Sequence, residues 1–366
     1  MSFPQLDRRK LKFKSLSQRT NRIIIERDWV SLDREPIHPS VEVAEAVKQV
    51  AEEVKRTRAA RKPVILAFGA HAIKNGLAPV LIRLIQDGWV THLATNGAGI
   101  IHDWEFAYQG SSSEAVRENI LRGEFGLWEE TGYFLSLALL VGAYRGLGYG
   151  ESVGSLVHHD GLEIPTLEEL REAVTAVDQD PEKAAAAGDL LAALRDSTIA
   201  SGFLPVAHPY KTFGLQAAAF RLNIPYTGHP MFGHDIIYSH PLCSGAAIGR
   251  TAQRDFLVFA HNVSRLDGGV YISVGSAVMS PMIFEKSLSM ARNLALQQGK
   301  DIENLRIYVV DLAEADWDWS RGEPSPGNPA YYLRYLKTFS RMGGRMSYIQ
   351  ADNRDFLIGL YRGLTG

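Results

Sequence analysis

Residues Pro63 to Glu105 read PVILAFGAHAIKNGLAPVLIRLIQDGWVTHLATNGAGIIHDWE, and this stretch decides the fold. The apolar run Val64-Ile65-Leu66 predicts a strand that passes into a small-residue turn, Gly69-Ala70-His71. Leu77, Val80, Leu81, Leu84 and Ile85 then recur at helical spacing until Asp87-Gly88 ends the pattern. A second apolar run, Val90 to Ala94, stops in Asn96-Gly97-Ala98-Gly99 and is followed by His102-Asp103. Strand, helix, strand with a right-handed crossover makes the two strands parallel. Both glycine-bearing turns then fall on one edge of the sheet, where open α/β folds bind ligands.

Working outward, the segments Asn223–Tyr226, Phe256–Phe259, Gly269–Val274, Arg306–Asp311 and Met346–Ile349 read as further strand-like runs. Most close in turns rich in Gly, Ser, Asp or Asn: Gly275-Ser276-Ala277, Asp311, and Ala351-Asp352-Asn353. Alternation of such runs with helical patterns predicts an α/β protein with a doubly wound, mostly parallel sheet. Upstream, Pro39-Ser40 starts a helix whose Val43, Val47, Val50 and Val54 share a face, with Ser40 as N-cap. The basic cluster from Arg8 to Arg22 reads as a solvated arm that packs on a neighbouring subunit, with a phosphate contact as the alternative. Residues 1–60 are thus an N-terminal arm and helix, and 61–366 a single domain. The glycines of Gly146 to Gly154 lack the dinucleotide spacing and follow no clear strand, so they read as a loop between helices.

With 366 residues, 46% of them hydrophobic, the chain can bury a large core. A formal net charge of -2 gives no global field to draw nucleic acid or a membrane surface. One cysteine, Cys243, excludes an internal disulfide framework and a cysteine-based zinc site. No apolar run reaches the roughly 18 to 20 residues that span a bilayer, and no secretory pattern follows the basic N-terminus. These features predict a soluble cytoplasmic protein with no nucleic-acid or membrane partner.

Three clusters carry candidate chemistry. The glycines of Asn96–Gly99 let backbone N–H groups approach a nucleotide, and a tight turn is the plain alternative. His102-Asp103-x-Glu105 sets a carboxylate beside a histidine, an arrangement that holds the tautomer for acid–base work; the plain alternative is an Asp helix cap. His229, His234 and His240 with Asp235 suggest either a polar substrate pocket, in which Asp235 holds an ammonium, or the metal centre of a hydrolase. Their spacing matches no standard metal-binding pair. Lys337 lies among Tyr331, Tyr335 and Phe339. It is either a surface lysine snorkelling past aromatics or an imine-forming nucleophile with a lowered pKa.

From about Pro63 to Leu360 the chain resembles deoxyhypusine synthase and its bacterial relatives. The resemblance rests on Ile73-Lys74-Asn75-Gly76-Leu77, Asn96 to Asp103, Ser152 to Val157, Ile224-Pro225 through Asp235-Ile236-Ile237, Gly275-Ser276-Ala277 with Arg292-Asn293, and Ala351-Asp352-Asn353. Lys337 follows Pro329 at a spacing like that of the family's imine-forming lysine. The chain departs from the pattern where Ile101-His102 replaces a glutamate pair, at Ser280-Pro281-Met282, at Pro230 and at Tyr335. Asn96 to Glu105 is also similar to a run in the NAD-dependent ornithine cyclodeaminases of the same fold superfamily, which keeps the histidine–aspartate pair.

These resemblances imply a Rossmann-like, deoxyhypusine synthase-like fold that binds NAD. They imply oxidation of an amine or amino acid to an imine by hydride transfer, of transferase or cyclodeaminase type and other than true deoxyhypusine synthesis. NAD would lie on Ala70, His71, Lys74, Asn75, Asn96, Gly97, Ala98, Gly99, Gly275, Ser276, Ala277, Asp311, Asp352 and Asn353. His102, Asp103, Asp235 and Lys337 would be catalytic, with Glu105, His229, His234 and His240 near the substrate. A homotetramer with sites at subunit interfaces is implied as well. The missing family carboxylates leave a non-catalytic nucleotide- or NAD-binding protein as the alternative, beside the metal-dependent hydrolase.

Overall fold

The computed structural model describes residues 3–37, 40–195 and 197–366. Six strands form one parallel sheet: β1 Val64–Phe68, β2 His92–Asn96, β3 Tyr226–His229, β4 Val270–Val274, β5 Arg306–Asp311 and β6 Arg345–Gln350. Their spatial order is β3-β2-β1-β4-β5-β6. This is the strand order of the doubly wound dinucleotide-binding fold, with its switch point between β1 and β4.

The central strands are continuous apolar runs because both faces are covered. Val64, Leu66 and Phe68 of β1 enter the larger core, under helices that include Val41–Ala59 and Ala78–Gln86. Ile65 and Ala67 point the other way, into a second core shared with Phe259, Phe284 and Phe339. Ser40 caps the helix Val41–Ala59, accepting from the Val43 N–H at 3.3 Å; Pro39 lies outside the described residues.

Three expectations change. Phe256–Phe259 is no strand; it lies inside the helix Gly245–Val263, where Phe259 faces the core and Leu257 and Val258 are exposed. The long β2–β3 connection, 97–225, carries a large share of the larger core, including the helix Glu129–Arg145, which is apolar around most of its circumference. The N-terminal arm packs on its own chain. Asn21–Ile24 pairs antiparallel with Ser111–Glu114, and Arg8 donates to the carbonyls of Tyr238, His240 and Cys243.

At the switch point Gly69 follows β1 and Gly275 follows β4. The Gly69 N–H donates to Val274 O at 3.1 Å, and a Cβ at Gly69 would stand 2.1 Å from the Gly275 carbonyl oxygen. Gly275 itself adopts φ +56°, a left-handed conformation that favours glycine. Gly69→Ala is expected to cost about 1–3 kcal/mol by forcing the two turns apart. Urea denaturation checks this, and an unchanged midpoint would contradict it.

Candidate functional site

Two cavities open at the carboxyl edge of the sheet, on either side of one short helix, Ala70–Lys74. The first, of about 240 Å³, is lined by His71, Asn75, Gly275, Val310, Asp311, Leu312, Ala351, Asp352 and Asn353. The Asn75 amide donates to Asn353 Oδ1 at 2.9 Å, tying the β1 turn to the β6 turn. Asp311 Oδ1 accepts from the Leu312 N–H at 2.8 Å, which aims the carboxylate at the end of β5. Asp352 caps the helix Asn353–Thr365 and holds Arg354 at 3.0 Å. A groove of about 780 Å³ continues from Leu312, Ala351 and Asp352 toward Ser40 and Val43.

The second cavity, of about 180 Å³, is lined by Lys74, Ala98, Ile101, His102, Glu105, Ser113, Val116, Phe125, His234, Asp235 and Arg19, among others. Its wall is built on a buried ion pair. Arg19, from the arm, donates to both Glu105 oxygens at 2.8 and 2.6 Å, with both side chains almost fully buried. Glu105 also accepts from Thr131 Oγ1 at 3.1 Å and from the Ser112 hydroxyl. Burial alone would raise the Glu105 pKa, but the Arg19 guanidinium overrides it and holds the group below its ordinary value. His102 Nδ1 meets the same Ser112 hydroxyl at 2.7 Å. Burial pushes its pKa down to about 4, so the ring is neutral at pH 7.

Asp235 lies over the start of the helix Gly97–Gln109. A Cβ at Gly97 would stand 2.2 Å from Asp235 Oδ2, so only a glycine admits the carboxyl there. Burial lifts the Asp235 pKa to about 6, against weaker pulls from the Tyr238 hydroxyl and the Met231 N–H. Lys74, across the cavity wall, is held below its usual value by burial and by nearby Arg22.

The predicted residues therefore divide. His71, Asn75, Gly275, Asp311, Asp352 and Asn353 meet in the first cavity; Lys74, Ala98, His102, Glu105, His234 and Asp235 meet in the second. Asn96 is occupied as the N-cap of the next helix, accepting from the Gly99 N–H at 2.9 Å. Ser276 is buried and accepts from the Ser280 N–H at 3.1 Å, while Ala277 beside it is exposed.

Several expected roles do not fit this geometry. Adjacent helical residues point about 100° apart, so Asp103 turns away from His102. It is fully buried and accepts from the N–H groups of Leu215 and Gln216 at 2.9 Å each, capping another helix. His229 hydrogen-bonds Thr227 Oγ1 at 2.9 Å and packs edge-on against Phe259 in the core. His240 sits beneath the arm, 5.0 Å from the Phe13 ring and 3.4 Å from Glu129 Oε1. The supposed metal cluster is thus broken up: His234 and Asp235 stay together at the second cavity, while His229 and His240 lie apart from them. Among the described residues no group of three or more His, Cys, Asp or Glu side chains is arranged to hold a metal ion. Lys337 stands 3.5 Å over the Tyr331 ring and 3.6 Å from Glu323, and lines neither cavity. Arg19 and Ser112 were missed. The one signal for Arg19 was that a glutamate inside an apolar helix, Glu105, needs a cation.

No family model matches the chain, and no curated protein matches it. Among solved structures it is similar to AgrE in complex with ornithine and NAD+ (16% identity, 90% of this chain and 34% of that one, TM-score 0.44). It is also similar to ArgZ, an arginine dihydrolase from the ornithine–ammonia cycle in cyanobacteria (15%, 89% and 32%, TM-score 0.42). A third is a conserved protein described as LOR/SDH from Methanococcus maripaludis S2 (12%, 92% and 72%, TM-score 0.44). The chain spans about a third of the length of the first two. Likenesses this loose leave the fold to be read from the sheet itself.

Glu105→Gln leaves Arg19 buried against a neutral amide and is expected to cost about 3–5 kcal/mol. The pair's contribution is complete above the ordinary carboxylate pKa and fades as pH falls through the lowered value. Chemical denaturation at neutral and acidic pH checks both statements, and wild-type stability in the variant would contradict them.

Proposed function

We propose that this chain is an NAD-dependent enzyme that oxidises the amine of a small molecule or amino acid to an imine. The observation that carries the reading is the pair of cavities at the switch-point edge, joined by the single helix Ala70–Lys74. Its His71 faces the first cavity and its Lys74 the second.

The first cavity suits the nucleotide. Asp311 and Asp352 offer carboxylate acceptors for ribose hydroxyls, and the Asn75 and Asn353 amides offer further polar contacts. The glycine turn at 275 leads into an 18-residue helix, Met279–Leu296, whose N-cap Val278 supplies no side-chain cap. The Ser280 N–H of that helix start is taken by Ser276 and Pro281 has none, so it is the helix dipole that would favour phosphate charge there. The absent GxGxxG pattern is consistent with a helix after β1 that is only 5 residues long. NAD, when bound, supplies a hydride acceptor.

The second cavity suits the substrate. Asp235, with a pKa near 6, is ionised at neutral pH and pairs with an ammonium group; it then accepts the proton that must leave before the amine is oxidised. Neutral His102, steered by Ser112, holds a hydrogen bond beside that centre. Lys74 supplies a cation for a substrate carboxylate. Ile101, Val116, Phe125 and Ile236 exclude water from the apolar end. Lys337 is left out of this scheme because Glu323 and Tyr331 hold it elsewhere. Self-association, as the family resemblance implies, belongs to the same proposal.

Isothermal titration with NAD tests the cofactor, and reduced-nicotinamide absorbance with a panel of amino acids and amines tests turnover. Asp311→Asn is expected to weaken NAD binding about tenfold with an unchanged melt. Asp235→Asn is expected to keep NAD binding and lose about 10²-fold or more in rate. The wild-type rate should rise as pH increases through about 6, as Asp235 loses its proton. NAD binding without turnover on any amine would leave a binding protein, and no NAD binding would overturn the reading.

A further inference from the structure

The charges that line the second cavity fall into two groups, and the protein itself satisfies one of them. Arg19 and Glu105 neutralise each other, and Glu105 also accepts from Thr131 and Ser112. Glu114, the other glutamate of the wall, is buried. It accepts from the Asn119 amide at 2.6 Å, the Trp128 indole N–H at 3.0 Å and the Gly126 N–H at 3.2 Å. These donors hold it in the wall. Lys74 and Asp235 are different. Among the described residues the Lys74 ammonium has no carboxylate within salt-bridge distance. Asp235 accepts from the Tyr238 hydroxyl at 3.4 Å and from the Met231 N–H, and meets no lysine or arginine. One cation and one anion therefore remain for a ligand, the complement of a zwitterion.

Of the other lining residues, His102 is neutral, Ser113 carries no charge and His234 is exposed. The rest of the wall is Ala98, Ile101, Val116, Phe125 and Ile236. A third arm of the ligand thus meets hydrocarbon, and an ammonium or guanidinium there would lose water without gaining a counter-charge. The cavity, of about 180 Å³, is near the roughly 150 Å³ of an apolar cavity that takes benzene, which suits an amino acid of about five or six carbons. We propose that the substrate is an α-amino acid with a short, uncharged apolar side chain, such as norvaline or leucine, and that the site discriminates against dibasic amino acids. This inference rests on reading the second cavity as the substrate site. Lys74 holds the carboxylate, Asp235 holds the ammonium, and Val116 and Phe125 line the side-chain arm.

Norvaline and ornithine share one carbon chain and differ by a terminal ammonium, so calorimetric titration and nicotinamide reduction with the pair test the proposal. Norvaline is expected to exceed ornithine about 10²-fold in affinity and in kcat/KM. Val116→Asp places a carboxylate at the first position of the helix Val116–Leu121, where the helix dipole tolerates an acid. It is expected to narrow the affinity ratio at least about tenfold. Lys74→Met is expected to weaken norvaline about tenfold but not n-butylamine, the same chain without its carboxylate. The proposal is overturned by ornithine binding as tightly as norvaline, by no binding of either, or by an unchanged ratio in Val116→Asp. Loss of n-butylamine along with norvaline in Lys74→Met would also overturn it. Norvaline binding without nicotinamide reduction would uphold the ligand class and overturn the oxidation instead.

Discussion

The contact between Gly69 and the carbonyl of Gly275 is the constraint on which the rest of the molecule depends. β1 and β4 are adjacent parallel strands, and the chain leaves their ends toward opposite faces of the sheet. Two such departures open a crevice only if the turns lie against each other, and here the fit leaves no room for a Cβ at Gly69. From that contact the β1 turn runs directly into Ala70–Lys74, whose two sides become walls of two different cavities. A shift of this turn would move both sites together.

Electrostatics then gives each cavity its character. The first is rimmed by two carboxylates: Asp311 accepts from backbone N–H groups, and Asp352 is held below its ordinary pKa, against burial, by its hydrogen bonds to Arg354. The second is a low-dielectric pocket in which charges are either paired or shifted. Arg19 and Glu105 pair, while Asp235, His102 and Lys74 move toward their neutral forms. The N-terminal arm takes part in this chemistry, because without Arg19 a carboxylate would be left buried among apolar neighbours.

The parallel sheet was legible because β1 and β2 are apolar runs ending in glycine-bearing turns around an amphipathic helix, and local pattern suffices for that. Phe256–Phe259 was misread because a short apolar run carries no period of its own; Phe259 faces the core while its neighbours face outward. On the site, Asp235 and His102 were readable as polar groups in otherwise apolar strand-end segments. The direction of Asp103 was not, since one residue along a helix changes the face and only the packing of Leu215–Arg221 shows which face is buried. His229, His234 and His240 looked like a cluster because they are close in sequence. His229 ends strand β3 and packs in the core, His234 opens on the second cavity and His240 sits beneath the arm, and sequence distance does not report that. Arg19 lay furthest from view, 86 residues from its partner Glu105.

Hydrogen–deuterium exchange of the full chain with and without saturating NAD tests the central claim most directly, because it reports on both turns of the switch point at once. The account predicts new protection in residues 69–75, 275–280, 311–313 and 350–354, with none in the glycine-rich turn 146–150. Protection confined to 146–150 and the adjoining 223–227, with the switch-point turns unchanged, would contradict it.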